Sequence, residues 1–142
     1  MPIDGDLEKR ILERVARIPI TSTLGMRFED FGDGTCRMVV PYDRAYDGVF
    51  ESFHGGILMT AADSAACFAI YTRTGPDEAM TTTDMNIRFL APCLTDLTVE
   101  ARVIKLGRTL APVHVDLFDA DRKPVAVAQV TYMRLPEMPP RA

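Results

Sequence analysis

The chain has 142 residues, 47% of them hydrophobic and 25% charged, with a formal net charge of −4 and a pI near 5.1. That length and balance predict one soluble globular domain with a core of its own. An acidic chain with no run of Lys or Arg excludes a nucleic-acid partner, because phosphate binding needs a concentrated basic surface, so any basic site has to be local.

Cys36, Cys67 and Cys93 are odd in number and lack metal-ligand spacing, and two histidines are too few for an ordinary zinc site. Reduced thiols in a cytoplasmic protein are expected. The start, Met1-Pro2-Ile3-Asp4-Gly5-Asp6, is acidic and lacks the basic region and apolar core of a signal peptide. The one long apolar segment is interrupted by Asp63 and makes a poor membrane span.

In chain order, Leu7, Ile11, Val15 and Ile18 recur at helical spacing, with Asp6 as the expected N-cap and Pro19 as the stop. Residues 24–42 read as a hairpin turning at Gly32-Asp33-Gly34, with Cys36, Met38 and Val40 alternating against Arg37 and Val39. Residues 41–53 form a loop rich in aromatics and charge, which delivers the chain to residues 54–71.

Residues 54–71 are apolar nearly all round the helical wheel and contain no proline, which predicts a buried central helix. One narrow polar stripe interrupts it: Thr60, Asp63, Ser64 and Cys67, spaced three and four apart. A carboxylate is costly to bury without compensation. Either the helix turns this stripe to solvent or Asp63 is a catalytic carboxylate in a cleft, and its isolation in about seventeen residues favours the second.

Thr74-Gly75-Pro76-Asp77 breaks the helix, and the remainder is strand. Met85, Ile87 and Phe89 alternate with polar residues before Pro92, as do Val99, Ala101 and Val103, then Val113, Val115 and Leu117. A turn at residues 119–122 leads to a last strand over residues 125–133. The order predicts an α+β fold in which a mostly antiparallel sheet wraps one central helix. A single domain over residues 1–142 is expected, with an N-terminal helical segment over residues 1–19 and a flexible, proline-rich tail over residues 136–142.

His54-Gly55-Gly56 followed by Asp63 nine positions after the histidine, the strand Thr83-Asp84-Met85-Asn86-Ile87-Arg88-Phe89-Leu90-Ala91-Pro92, and Gly107-Arg108-Thr109 together resemble a known family. It is the hotdog-fold acyl-CoA thioesterases, and within the 4-hydroxybenzoyl-CoA thioesterase superfamily the phenylacetate-pathway (PaaI-like) branch. The similarity covers roughly residues 24–134. It implies a five- or six-stranded sheet curled round the helix and a homodimer with one continuous sheet and shared active sites, alone or as a dimer of dimers. It also implies hydrolysis of acyl-CoA thioesters, with CoA as part of the substrate and neither metal nor organic cofactor. Where the family carries Asn or Gln six residues before the motif histidine, this chain has Gly48, with Asp47 and Glu51 nearby.

Thioester hydrolysis needs a base or nucleophile at the carbonyl carbon and donors for the developing oxyanion. Asp63 fits the first role, as general base or as nucleophile. Gly55 and Gly56 fit the second, since a helix N-terminus has unpaired N–H groups and a partial positive charge; the resemblance assigns Gly55, while Gly56 is as readily explained by packing. His54 reads better as a hydrogen-bonded support than as a proton carrier. The resemblance puts at Thr82 a hydroxyl that helps hold the attacking water. Cys67 reads as a small core residue. Arg88, Lys105 and Arg108 are the candidates for the CoA phosphates, although each reads also as a solvated charge. Phe50, Phe53, Phe68 and Tyr71 could line an aryl or medium-chain pocket or simply fill the core.

Competing readings are a hotdog protein that binds acyl thioesters without cleaving them, which Gly48 favours, and a hydratase, which lacks a suitable histidine motif. Geometry adds one expectation: Gly55 and Asp63 are eight residues apart, about 12 Å along a helix axis. One helix cannot offer both to one carbonyl, so either one role is misassigned or a second chain, related by a two-fold axis, brings its Asp63 beside the first chain's Gly55 and the two chains share each site.

Overall fold

The computed structural model describes residues 1–141. Its first helix, α1 (Gly5–Val15), buries Ile11 and Val15. The N-cap is Asp4 rather than Asp6, and no side chain caps it; Asp6 lies in the first turn, where its charge meets the positive end of the helix. Ile18 stays outside α1, and Pro19 opens a short helix, α2 (Pro19–Thr23), instead of only ending the first. Proline suits a first helical position because its missing N–H would have had no partner there.

Strands β1 (Arg27–Gly32) and β2 (Thr35–Val40) pair antiparallel across Asp33-Gly34. Gly34 has φ 77°, a left-handed backbone that favours glycine, and the Arg73 guanidinium lies against it, 2.7 Å from where a Cβ would stand. The turn is clasped to the end of the central helix, α3 (Gly55–Thr74). The Gly34 N–H donates to Thr72 Oγ1 at 2.8 Å, and Arg73 Nε donates to Asp33 at 2.9 Å.

Four more strands follow: β3 (Met80–Phe89), β4 (Leu97–Val103), β5 (Leu110–Phe118) and β6 (Pro124–Arg134). All pair antiparallel in one six-stranded sheet of order β1-β2-β4-β5-β6-β3. Across it runs the row Cys36, Ala101, Val115, Ala128, Ile87, which together with neighbouring rows faces α3. Ala61, Ala62, Ala65, Ala66 and Ala69 of α3 are fully buried, and their small side chains let the sheet curl close around the helix. Leu97, Val99 and Val113 are also fully buried, each contributing about 1.5–3 kcal/mol by leaving water.

β3 is an edge strand. One side pairs with β6, the other is open, and none of its residues is buried. It also contains a bulge: Thr82 pairs with Tyr132 and Asp84 with Thr131, leaving Thr83 as the extra residue. The tail leaves β6 beside the connection between α3 and β3, with the Leu135 N–H donating to the Ala79 carbonyl at 2.9 Å, and Ala142 lies outside the described residues. No helix among the described residues is long and apolar enough to cross a membrane.

Candidate active site

The polar stripe of α3 is where helix and sheet edge meet. Thr60, Asp63, Ser64 and Cys67 are all half-buried, while Ala61, Ala62, Ala65, Ala66 and Phe68 between and beside them are buried. Asp63 receives two side-chain donors on one oxygen: Thr82 Oγ1 at 2.7 Å and the Tyr132 hydroxyl at 2.8 Å. The same hydroxyl lies 3.0 Å from the Asp63 carbonyl oxygen. A carboxylate held in this way keeps a fixed direction and has one oxygen without a side-chain donor among the described residues.

The bulge explains how Thr82 reaches it. Met85 and Ile87 face the core, so unbroken alternation would send Thr83 inward. The extra residue shifts the parity, and Thr82 with Met80 turns to the face that carries Tyr132. Tyr132 is the participant absent from the sequence reading. Burial raises its pKa, with the nearby Cys67 and Asp63 adding to the effect, so it stays a protonated donor. Its position in β6, two residues from buried Val130, was the available signal: an inward tyrosine hydroxyl needs a partner.

At the start of α3, His54 is the N-cap, and its Nδ1 accepts from the Gly56 N–H at 2.8 Å. In the neutral ring the proton is therefore on Nε2. The His54 N–H donates to the Tyr46 carbonyl at 2.9 Å, which ties the loop to the helix. With the Gly56 N–H taken, the Gly55 N–H is left with no acceptor among the described residues. A Cβ on Gly55 would lie 3.1 Å from the Phe89 ring, so the β3 end also closes over this residue.

Gly48 lies against His54: a Cβ there would be 3.3 Å from the His54 ring carbon Cδ2. Of its polar neighbours, Asp47 accepts from the Tyr42 hydroxyl at 2.8 Å on each oxygen, and Glu51 is exposed with φ 56°. Asp47 is thus already committed.

The three cationic candidates are not together within one chain. Arg88 sits near the Phe89 end of β3, on the face away from α3, and donates to Asn86 at 3.1 Å. Lys105 and Arg108 are exposed in the β4–β5 connection, at the opposite end of the sheet, where the Arg134 N–H donates to the Thr109 carbonyl. Of the aromatic candidates, Phe68 is core against Phe28, Phe53 packs on Tyr42, Phe50 is 90% exposed at a loop tip, and Tyr71 borders a cleft. The three cysteines are free thiols; burial pushes the Cys67 thiol up to about 12. No cluster of His, Cys, Asp or Glu suited to a metal ion occurs among the described residues.

A six-stranded antiparallel sheet curled round one long helix is the hotdog thioesterase fold. Residues 50–126 match the model of the Thioesterase superfamily, and the chain belongs to that family. A protein of Halobacterium salinarum assigned by name to the esterases is 31% identical over 118 residues, covering 77% of this chain and 78% of its own length. Acyl-coenzyme A thioesterase 13 of Homo sapiens is 31% identical over 90 residues, 61% of each chain. The solved PaaI protein of E. coli, from the phenylacetic acid degradation operon, superposes with a TM-score of 0.86 over 96% of this chain and 98% of its own. At 19% identity it shows a shared fold alone.

Proposed function

We propose that the protein is an acyl-CoA thioesterase of the PaaI-like branch, hydrolysing aryl- or short- to medium-chain acyl-CoA to the free acid and CoA. Water adds to the thioester carbonyl carbon, the C–S bond breaks, and the CoA thiolate leaves and takes a proton. Asp63 serves as general base for that water or as nucleophile, with an acyl-aspartyl anhydride that water then opens. The Gly55 N–H stabilises the oxyanion. Thr82 and Tyr132 position the carboxylate, and His54 holds the glycine turn.

The observation that carries this reading is the half-buried Asp63 carboxylate held by two hydroxyls, in a chain whose Gly55 N–H is left open by the His54 cap. The same geometry supports a homodimer with shared sites. Asp63 lies by the Thr82 end of β3 and Gly55 by the Phe89 end. Antiparallel pairing of two open β3 edges would bring the partner's Gly55 beside Asp63, and an unpaired edge of this length is otherwise a liability.

Thiol release from a panel of aryl- and fatty-acyl-CoAs tests the reading. The wild-type chain is expected to turn over, and Asp63→Asn to bind thioester with kcat reduced by several orders of magnitude. Near-normal turnover in that variant would remove Asp63 from the mechanism. Binding without thiol release would favour the non-hydrolysing reading, for which Gly48 and the committed Asp47 are the structural grounds.

A further inference from the structure

Arg134, the last residue of β6, ties together two connections that lie apart in the chain. Its N–H donates to the Thr109 carbonyl at 2.7 Å, and its Nη1 donates to the Gly107 carbonyl at 3.1 Å. Its Nε donates to Glu78 in the connection between α3 and β3, where the Leu135 N–H also meets the Ala79 carbonyl. Both side chains of the Arg134–Glu78 pair are half-buried, so the guanidinium is neutralised and held between the two connections. The Gly107 N–H donates to the Leu110 carbonyl at 3.0 Å, and a Cβ on Gly107 would run into that oxygen. The turn over residues 107–110 is thus closed from within and pinned from outside.

What this connection presents is positive charge. Lys105 and Arg108 are exposed on it, and neither makes an ion pair among the described residues. No acidic residue occurs between Glu100 and Asp116, in a chain whose net charge is −4. The charge of Arg134 itself is already answered by Glu78. Its planar fork of donors holds the Glu78 carboxylate and the Gly107 carbonyl at once, which the single ammonium of a lysine could not do in the same geometry. Without this pin, a ligand would have to order the connection as it bound, and that ordering weakens binding.

Resting on the thioesterase reading, we infer that Arg134 is a positioning residue for the phosphate-bearing end of the thiol leaving group. It fixes the turn from which Lys105 and Arg108 meet those phosphates, and it does not touch them itself. A rigid turn with two unpaired cations offers a polyanion charge-assisted contacts without the cost of ordering the backbone. The effect falls on substrate binding rather than on the bond-breaking step, because the turn supplies no group to the thioester carbonyl. Loss of the pin therefore weakens binding of a thioester that carries phosphates and spares one that carries none.

The test compares one acyl group on two thiols, CoA and pantetheine, the second of which has no phosphate. Arg134→Gln, and Arg134→Lys as the milder change, are expected to raise KM for the CoA thioester about tenfold or more, with kcat and the pantetheine KM within about twofold of wild type. Thermal melts identify folded variants, and the lysine variant carries the test if the glutamine one does not fold. Lys105→Gln combined with Arg108→Gln should raise the CoA KM at least as much, and adding Arg134→Gln to that pair should change it no further. Equal losses on both thiols, a wild-type CoA KM in either Arg134 variant, or an Arg134 effect that persists without the two cations would each overturn the assignment. Calorimetric titration with CoA alone separates this inference from the one beneath it. Weaker CoA binding in the variants, with no thiol release from any thioester, would sink hydrolysis and keep the role of Arg134, whereas release with unchanged CoA affinity would do the reverse.

Discussion

The proposed oxyanion donor is a backbone group, and it can be deleted without removing any side chain. Gly55 is the first residue of α3, where proline is tolerated, and His54 before it has φ −56° and ψ 135°, the extended backbone that a residue preceding proline needs. Gly55→Pro should therefore remove the N–H and keep the helix. Its steric cost is a Cβ 3.1 Å from the ring of Phe89, a residue that is 52% exposed and has room to shift. Gly55→Ala adds the same Cβ and retains the N–H, so the ratio of the two variants isolates the donor. Losing one such donor costs about 100- to 1000-fold in kcat, or about 2.7–4 kcal/mol of transition-state stabilisation. Thiol release under saturating substrate measures it, with thermal melts confirming folded protein. Equal kcat for the two variants would refute the role of the Gly55 N–H. The proline variant also tests site sharing when mixed with Asp63→Asn. Random pairing at equal amounts gives about half mixed dimers, each with one doubly defective and one intact site, so activity should recover to about a quarter of wild type. No recovery, with mixed dimers confirmed by mass, would mean that the two groups do not act across a dimer.

Tyr132→Phe removes a donor from the Asp63 carboxylate while Thr82 keeps its bond; stability should fall by about 1–3 kcal/mol in denaturant titrations, and kcat should fall more than KM changes. Unchanged kcat would leave Tyr132 a purely structural residue. Gly48→Asn should raise kcat, the His54 ring giving way by a few tenths of an ångström to a Cβ at 3.3 Å, and unchanged or lower kcat would show that Asn is not the missing group. Burial pushes the Cys67 thiol up to about 12, so at pH 8 it stays protonated and weakly nucleophilic. Iodoacetamide should leave Cys67 unlabelled in the folded protein and label it in urea, and rapid labelling of the native chain by peptide mass analysis would contradict this.

The central helix was legible because burial writes itself into composition. A lone carboxylate in an apolar run had to be compensated, and Thr60, Asp63, Ser64 and Cys67 do form the half-buried stripe that their spacing predicted. The partners of that carboxylate were harder to read. Thr82 came from family resemblance, because alternation through Met85 and Ile87 points to Thr83, and only the pairing register reveals the bulge. Tyr132 was readable in principle as an inward hydroxyl, but nothing local says which helix residue it meets; that depends on two strands and a helix converging. Pro19 shows the opposite limit: proline at a helix boundary can end one helix or begin another, and α2 begins with it. Arg88 was grouped with Lys105 and Arg108 by charge, yet its shared face with Asn86 already placed it on the side of the strand away from Met85 and Ile87.

These separations become coherent if β3 is the axis of the proposed dimer. Within one chain the carboxylate and the open N–H stand toward opposite ends of the edge strand, and so do Arg88 and the connection that carries Arg108. Antiparallel pairing through β3 exchanges the ends. It would bring the partner's Gly55 toward Asp63 and, by the same rotation, the partner's Arg88 toward the end of the sheet where Lys105 and Arg108 lie. Acyl chemistry and nucleotide binding would then both depend on a single strand pairing. A substitution that blocks it, such as Ile87→Pro at a position whose N–H faces the open edge of β3 while the Leu90 N–H and its alternates face β6, should abolish turnover and thioester binding together rather than one without the other. Retained turnover in a chain shown to be monomeric by sedimentation would refute the shared site, whatever the fate of the individual residues.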